Sequence, residues 1–361
     1  MRIHPLGPVF LGLLLPCLAV AHSLSDEIGV GSSQTNPRNP RTGFIYDRVS
    51  GVADASDVVS FRFDLTLTHD AATKPTQGAS FGDTGGNIFA GALGLDWMPS
   101  EHWPLSFEFD FSPRSTEASD TTVAFDVGTT SANADALLRA TSSSVGFWLI
   151  AGYETAGDSD FESAVSSSFS LTHFSTTQVV SDVATANGPV DRRQIIAYCT
   201  RTAYTGEGCR QIGPALRAES ADLNQFRLSA SFTETFVANT DLTLGGAYYF
   251  YDKDPSQVGY FSIASIGRSV SLGNGVPAAP LRYSIRPDLS HKFGPFSASI
   301  WYQYGQYVPG DGYGHSVGLK LQYKISKAVK IWASGTWQND IDDQGASQIS
   351  TTLALGARYS F

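Results

Sequence analysis

Charged residues occupy alternate positions of two strongly apolar segments in the first third of the chain. Arg62 and Asp64 alternate with phenylalanine and leucine, and Glu108 and Asp110 do the same within 105–111. Successive side chains of a β-strand point to opposite faces of the sheet. These segments therefore predict a sheet with charged groups on one face and apolar groups on the other.

Basic residues take the corresponding positions in the last third of the chain. One arc of the expected sheet is thus mostly acidic, and the arc built from the later segments is mostly basic. The basic positions are Arg282, Arg286, Lys320, Lys324, Lys330 and Arg358.

Two cysteines, Cys199 and Cys209, lie within one polar segment. The nearest histidine, His173, stands outside that segment, so a metal site there lacks ligands. In an exported chain the pair is expected to form a local disulfide that pins a loop.

Catalytic groups are poorly represented. His69, His173 and His315 are the histidines near one end of the expected strands, and none has a neighbouring sequence that indicates a nucleophile and its base. A phosphate-binding loop is followed by a helix, and no helix is expected after the glycines of 82–86. The acidic run Asp340–Asp343 fits a solvated turn better than a calcium site. The sequence predicts no enzyme activity, no cofactor and no metal.

The composition favours a β-rich chain. It has 361 residues, 12% aromatic residues, 35 glycines and a formal charge of −10. The acidic balance argues against nucleic-acid binding. A mean hydropathy of −0.09 is compatible with a membrane wall in which lipid-facing and water-facing residues alternate.

The N-terminus has the features of a secretory signal peptide. A short apolar stretch, 9–20, ends in Ala19-Val20-Ala21 before His22. We expect residues 1–21 to be the signal peptide, 22–56 a periplasmic leader or a plug in the lumen, and 57–361 the β-rich domain.

In twelve later segments, apolar and polar residues alternate. The segments have about the length, roughly 9 to 14 residues, that a tilted strand needs to cross an outer membrane. They are Asp57–Asp70, Asn87–Met98, Trp103–Ser112, Ser143–Glu154, Asp160–Phe174, Asp222–Val237, Thr240–Tyr251, Pro280–His291, Pro295–Tyr307, Tyr313–Ile325, Ala328–Asn339 and Ile349–Phe361.

The connections between these segments alternate in length. Every second gap is short, as at Ala238-Asn239 and Ser326-Lys327, whereas most of the others are longer, notably Ser175–Ala221. Short turns on one side and long loops on the other are typical of membrane barrels. In lipid such a sheet must close, because an open edge would leave backbone groups without hydrogen bonds.

The last segment carries a resemblance to a known class. Ile349, Leu353, Leu355, Ala357, Tyr359 and Phe361 share its apolar face, and Phe361 ends the chain. The segment resembles the C-terminal strand of Gram-negative outer-membrane β-barrels. The resemblance implies a transmembrane antiparallel up-and-down β-barrel, here of about twelve strands, in the cell outer membrane. It also implies that Tyr359 and Phe361 form part of the signal read by the insertion machinery.

The expected function is a passive, porin-like channel for small polar or ionic solutes. Selectivity is assigned to Asp64, Glu108 and Asp110 facing Arg286 and Lys320, across a transverse field. The expected pore-lining residues are Arg62, Asp64, Glu108, Asp110, Arg282, Arg286, Lys320, Lys324, Lys330, Trp148 and Trp301.

Two alternatives remain open. One is a closed structural or adhesive barrel whose long loops, 175–221 above all, bind a surface partner. The other is a lipid-modifying outer-membrane enzyme, because outer-membrane phospholipases resemble this chain in size and strand number. The solute, the oligomeric state and whether the lumen conducts are not determined by the sequence.

Overall fold

A computed structural model describes residues 22–35, 42–70, 86–127, 130–155, 163–203, 207–237, 239–255, 281–308, 312–341 and 347–360. The expected signal peptide, 1–21, and Phe361 lie outside these ranges.

The described residues form fifteen strands and two helices. The strands are β1 (Ser23–Thr35), β2 (Thr42–Ser56), β3 (Val59–Asp70), β4 (Gly86–Trp97), β5 (Leu105–Val127), β6 (Thr130–Glu154), β7 (Ser163–Thr185), β8 (Gly188–Val190), β9 (Ser220–Val237), β10 (Thr240–Tyr251), β11 (Leu281–Phe293), β12 (Phe296–Tyr307), β13 (Tyr313–Lys324), β14 (Val329–Ile341) and β15 (Ser347–Ser360); the helices are α1 (Arg192–Arg201) and α2 (Glu207–Arg217).

The strands form one antiparallel sheet that closes on itself. Each strand pairs with its sequence neighbours, except that the short β8 pairs only with β7, so that β7 pairs directly with β9. Fifteen strands less β8 leave fourteen in the wall. The wall closes where β1 pairs with β15, in continuous register from Ser23 opposite Ser360 to Thr35 opposite Gln348. Neither terminal strand is thereby left as an open edge of the sheet.

The fold confirms an all-β closed antiparallel barrel, but the expected number of about twelve strands is wrong. The two additional strands, β1 and β2, come from residues 22–56, which we expected to be a leader or a plug. The outward faces of these strands carry Asp26 and Asp47, both exposed, among Ile28, Val30 and Ile45. These carboxyl groups interrupt the apolar pattern that identifies the other strands.

The outer surface of the wall is apolar. Leu353 and Leu355, on alternate positions of β15, are 67% and 68% exposed, as expected of lipid-facing side chains. Exposed aromatic residues lie near both ends of the wall, among them Trp97, Trp103, Tyr323, Trp337 and Tyr359. Such girdles are typical of side chains at a membrane–water interface.

The two ends of the barrel differ. Short connections, such as Asp57-Val58 and Gly294-Pro295, lie at the end that also carries Ser23 and Ser360; we call it the turn end. The opposite end, the loop end, carries the longer connections, including 186–219. This arrangement agrees with the expected alternation of turns and loops.

Strands β5, β6 and β7 continue beyond the wall at the loop end, and the helices pack against this extension. Helix α1 begins at the cap residue Asp191, whose side chain accepts a hydrogen bond from the Arg193 backbone N–H at 2.9 Å. Cys199 and Cys209 join the two helices through the expected disulfide. Among the described residues, neither helix has the length and apolar run needed to cross a membrane.

This helical unit has a small apolar core of its own. Ala134 and Ala136 contribute to it from the same face of β6 that carries Trp148 further along the strand. The helices therefore cover the inward-facing side of the extended wall. The buried members of the core are Ala134, Ala136, Val180, Val183, Cys199, Cys209, Ile212, Ala215 and Leu216.

Deleting residues 23–56 is expected to abolish the folded barrel, because β3 and β15 would both be left with an unpaired edge. The measurement is the mobility shift on gels between heated and unheated protein, after refolding in detergent. Deleting the helical segment 192–217, which lies outside the wall, is the control and should preserve the shift. A compact, heat-sensitive barrel from the chain lacking 23–56 would contradict the place of β1 and β2 in the wall.

Candidate functional site in the barrel interior

The inner face of the wall brings together most of the residues expected there. Arg62, Asp64, Glu108 and Asp110 share this face with Trp148 across the paired strands β3 to β6. Arg286, Trp301 and Lys320 lie on the inner face of β11 to β13, and Lys330 lies on that of β14. Two expected residues lie towards the ends: Lys324 is exposed at the turn end, and Arg282 lies at a register irregularity at the loop end of β11.

The acidic arc carries counter-ions of its own. The Arg48 Nε donates to Asp64 at 2.7 Å, and Arg62 pairs with Glu108 at 2.9 Å and more distantly with Asp96 at 3.6 Å. The acidic arc is therefore partly neutralised within the wall. The transverse field expected from the sequence stays a prediction.

Trp148 contacts both the acidic arc, through Asp110, and a neighbouring cation, Arg227. Its indole N–H donates to the Asp110 carboxylate. The Arg227 guanidinium lies over the same ring, 4.7 Å from its centroid, and 5.5 Å from the centroid of Tyr249. A carboxylate, an aromatic face and a guanidinium thus follow one another around the wall.

Two further tryptophans lie flat against the wall because a glycine is beneath each. A Cβ at Gly318 would overlap the indole of Trp301, and a Cβ at Gly356 would overlap that of Trp332. Each ring also has a cation near it. The Arg286 guanidinium lies 4.4 Å from the centroid of Trp301, and the Lys320 Nζ lies 4.8 Å from the centroid of Trp332.

The inner charges in the middle of the barrel remain in contact with solvent. The side chains of Arg62 and Arg286 are each 34% exposed, and those of Asp64 and Asp288 are 27% and 28% exposed. Because these groups point inward, the exposure shows that water-accessible space exists inside the wall.

The interior is packed more closely towards the loop end. Tyr307 donates to Asp340, and the Gln338 amide donates to the same carboxyl at 2.7 Å. Tyr251 accepts from Gln225 at 3.0 Å and donates to the Leu281 carbonyl at 2.9 Å. These side chains form a hydrogen-bonded polar layer near the loop end.

The three histidines considered for catalysis have structural partners on the outer surface. His69 and His173 contact the amide oxygens of Asn87 and Asn224, each at 2.8 Å. His315 contacts the Tyr302 hydroxyl at 2.5 Å. These contacts give the histidines partners other than a serine nucleophile. Within the described ranges, no group of three or more acidic, histidine or cysteine side chains could hold a metal ion.

Several interior residues were missed by the sequence analysis. Glu27, Tyr46 and Arg48 lie in β1 and β2, which were assigned to the leader. Arg227 could have been found, because it alternates with Phe226 and Leu228 in a segment that was already expected to be a strand.

Comparisons with known proteins show which solved structures share this architecture. No family model and no curated protein matches the chain. Among solved structures, a Pseudomonas aeruginosa FadL homologue covers 94% of this chain and 90% of its own length, with a TM-score of 0.55 and 11% identity. The Ralstonia pickettii toluene transporter TbuX covers 94% of this chain and 89% of its own length, with a TM-score of 0.56 and 8% identity. The Pseudomonas putida toluene transporter TodX covers 94% of this chain and 90% of its own length, with a TM-score of 0.52 and 10% identity.

The chain has the fold of Gram-negative outer-membrane β-barrel channels. The resemblance of the last strand to this class, and the location that it implies, are confirmed at the level of the fold. At these identities the comparison concerns the fold alone, and no subfamily follows from it.

Replacing Gly318 by alanine is expected to displace Trp301 from the wall and to destabilise the barrel by about 1–3 kcal/mol, as overpacking does. Tryptophan fluorescence should shift to the red, and quenching by acrylamide should increase. Gly245→Ala is the matched control, because an added Cβ there meets no atom closer than 3.7 Å. Equal effects of the two substitutions would contradict the flat placement of Trp301.

Proposed function

We propose that the protein is a passive channel of the outer membrane. The observation that carries this proposal is the solvent exposure of charged side chains on the inner face of a closed wall. About eight strands enclose only their own side chains, whereas about sixteen leave an aqueous channel. A wall of fourteen strands lies nearer the second case.

The arrangement of the aromatic residues supports the same function. Trp301 and Trp332 are held against the wall by Gly318 and Gly356, so that their rings add apolar surface without standing across the lumen. Both rings are half-buried, and a cation lies over each of them.

These surfaces suit small amphipathic solutes that join a polar or ionic group to a flat apolar body. The comparisons support a channel but not the small polar or ionic solutes expected from the sequence, so we propose amphipathic solutes in their place. The structural neighbours include toluene transporters and a monoaromatic hydrocarbon channel, and the hydrocarbons in these names also have flat apolar bodies. The charged inner wall of this chain adds a requirement for a polar group.

A closed structural or adhesive barrel is the second candidate. The polar layer around Tyr307, Asp340 and Gln338 favours it, because these side chains are closely packed near the loop end. In that case the long loops would bind a partner. A role for Tyr359 and Phe361 in recognition by the insertion machinery is compatible with either candidate.

Single-channel recording from the full chain in planar bilayers separates the two candidates. The channel predicts discrete conductance steps from protein that shows the gel mobility of a folded barrel. Folded protein without conductance would favour the closed barrel.

Reversing the charges of Arg286 and Lys320 to glutamate is expected to shift ion selectivity towards cations, because both cations face the lumen. The measurement is the reversal potential in a salt gradient. Lys327→Glu, in the turn between β13 and β14, is the control and should cause a smaller shift. An unchanged reversal potential in the double variant would rule out these residues as determinants of selectivity.

A further inference from the structure

A cavity of about 240 Å³ lies in the lumen near the turn end. Strands β1, β2, β13, β14 and β15 form its wall, so it spans the seam at which the barrel closes. The residues that give it its chemistry are Glu27, Arg48, Lys320, Lys330, Trp332 and Arg358.

Four of these side chains are cationic and one is a carboxylate. Arg48 is engaged with Asp64, with its Nε 3.0 and 2.7 Å from the two carboxylate oxygens. Glu27 accepts hydrogen bonds from the Tyr46 hydroxyl, at 2.9 Å, and from the Trp332 indole. Arg48 and the one carboxylate of the cavity therefore already have hydrogen-bond partners.

The other three cations form no ion pair with a carboxylate within the part of the chain that the structure describes. Lys330 lies directly opposite Arg358 across β14 and β15, a pairing of like charges that disfavours the folded state. Arg358 donates to the Ser23 hydroxyl at 2.7 Å, but its Nε is buried and has no hydrogen-bond partner among the described residues. The Lys320 Nζ lies over the ring of Trp332, and Glu27 is near enough to interact with it electrostatically.

A bound anion would compensate these cations together. It would neutralise the opposed Lys330 and Arg358, and it would accept from the guanidinium group of Arg358, since guanidinium groups bind carboxylates through parallel hydrogen bonds. The nearby Glu27 and Asp64 favour a single negative charge over a dianion such as phosphate. The indole of Trp332 supplies an apolar surface beside the cations.

We propose that this cavity binds the carboxylate of a small aromatic acid. Lys330 and Arg358 hold the carboxylate, and the ring of the acid lies towards Trp332. The binding itself does not require a conducting barrel. That the cavity binds solutes on their way through the lumen rests on the proposed channel function. In that case the solutes of the channel would be organic anions.

The test is a calorimetric titration of the full, folded chain in detergent with sodium benzoate. Removing a charged hydrogen-bond partner costs enough to weaken binding about tenfold, so Arg358→Met and Lys330→Met should each have an effect of that size. Lys327→Met, in the neighbouring turn and outside the cavity, should leave the affinity unchanged. Arg358→Lys should retain part of the affinity, which separates loss of the site from loss of folding.

Two competitors define the ligand class. Toluene lacks the carboxylate and should not displace benzoate, and inorganic phosphate should displace it only weakly. The proposal is overturned if benzoate does not bind, if both methionine variants bind it as the unmodified chain does, or if toluene or phosphate binds more tightly than benzoate.

Conductance recorded on the same preparation keeps the two proposals apart. Benzoate binding that depends on Lys330 and Arg358 in a barrel without conductance would refute the channel and support the cavity. Conductance without such binding would support the channel and refute the cavity.

Discussion

The seam between β1 and β15 is the interaction on which the rest of the structure depends. In hydrocarbon an unpaired backbone N–H or C=O costs several kcal/mol, so a sheet in lipid must have no edge. The register from Ser23 opposite Ser360 to Thr35 opposite Gln348 removes both edges at once. Closure also brings Glu27 of β1 within hydrogen-bonding reach of Trp332 of β14, across the intervening strand.

Closure divides the side chains into two environments with opposite demands. On the outside, residues such as Leu353 and Leu355 meet lipid and need no partner. On the inside, charged groups must find partners or water, and most do so locally: Arg48 with Asp64, Arg62 with Glu108, and Arg286 with Asp288 at 3.3 Å. The region around Lys330 and Arg358 differs, because cations there outnumber the carboxylates. The proposal that the interior binds an organic anion follows from that excess of positive charge.

Much of the wall could be predicted from the sequence, because lipid on one side and water on the other impose a period of two. All twelve expected segments coincide with strands, and the bounds of β10 agree at both ends. Strands β1 and β2 were missed because Asp26 and Asp47 stand on their outward faces, and because Gly29 and Gly31 weaken the alternation of β1.

The interior was harder to predict than the wall. The period of two identifies which residues point inward, and it placed Trp148, Trp301 and the main charges on the inner face. It does not identify cross-strand partners, because these depend on register. The pairing of Arg48 with Asp64, the ring of Trp332 over Gly356 and the opposition of Lys330 and Arg358 all require the register of neighbouring strands. The helical unit was missed because 175–221 has no alternation and its apolar residues contact strands far from them in sequence.

The most direct test of the closed wall is nitroxide scanning of β1 in lipid vesicles. Single cysteines at positions 24 to 28 and at 30 would be spin-labelled, and collisions with oxygen and with a polar nickel chelate would be compared. A strand in the wall predicts a period of two, with oxygen favoured at 24, 26, 28 and 30 and nickel favoured at 25 and 27. Uniform access of the nickel chelate to all six positions would contradict it, because a free leader has no face turned to lipid.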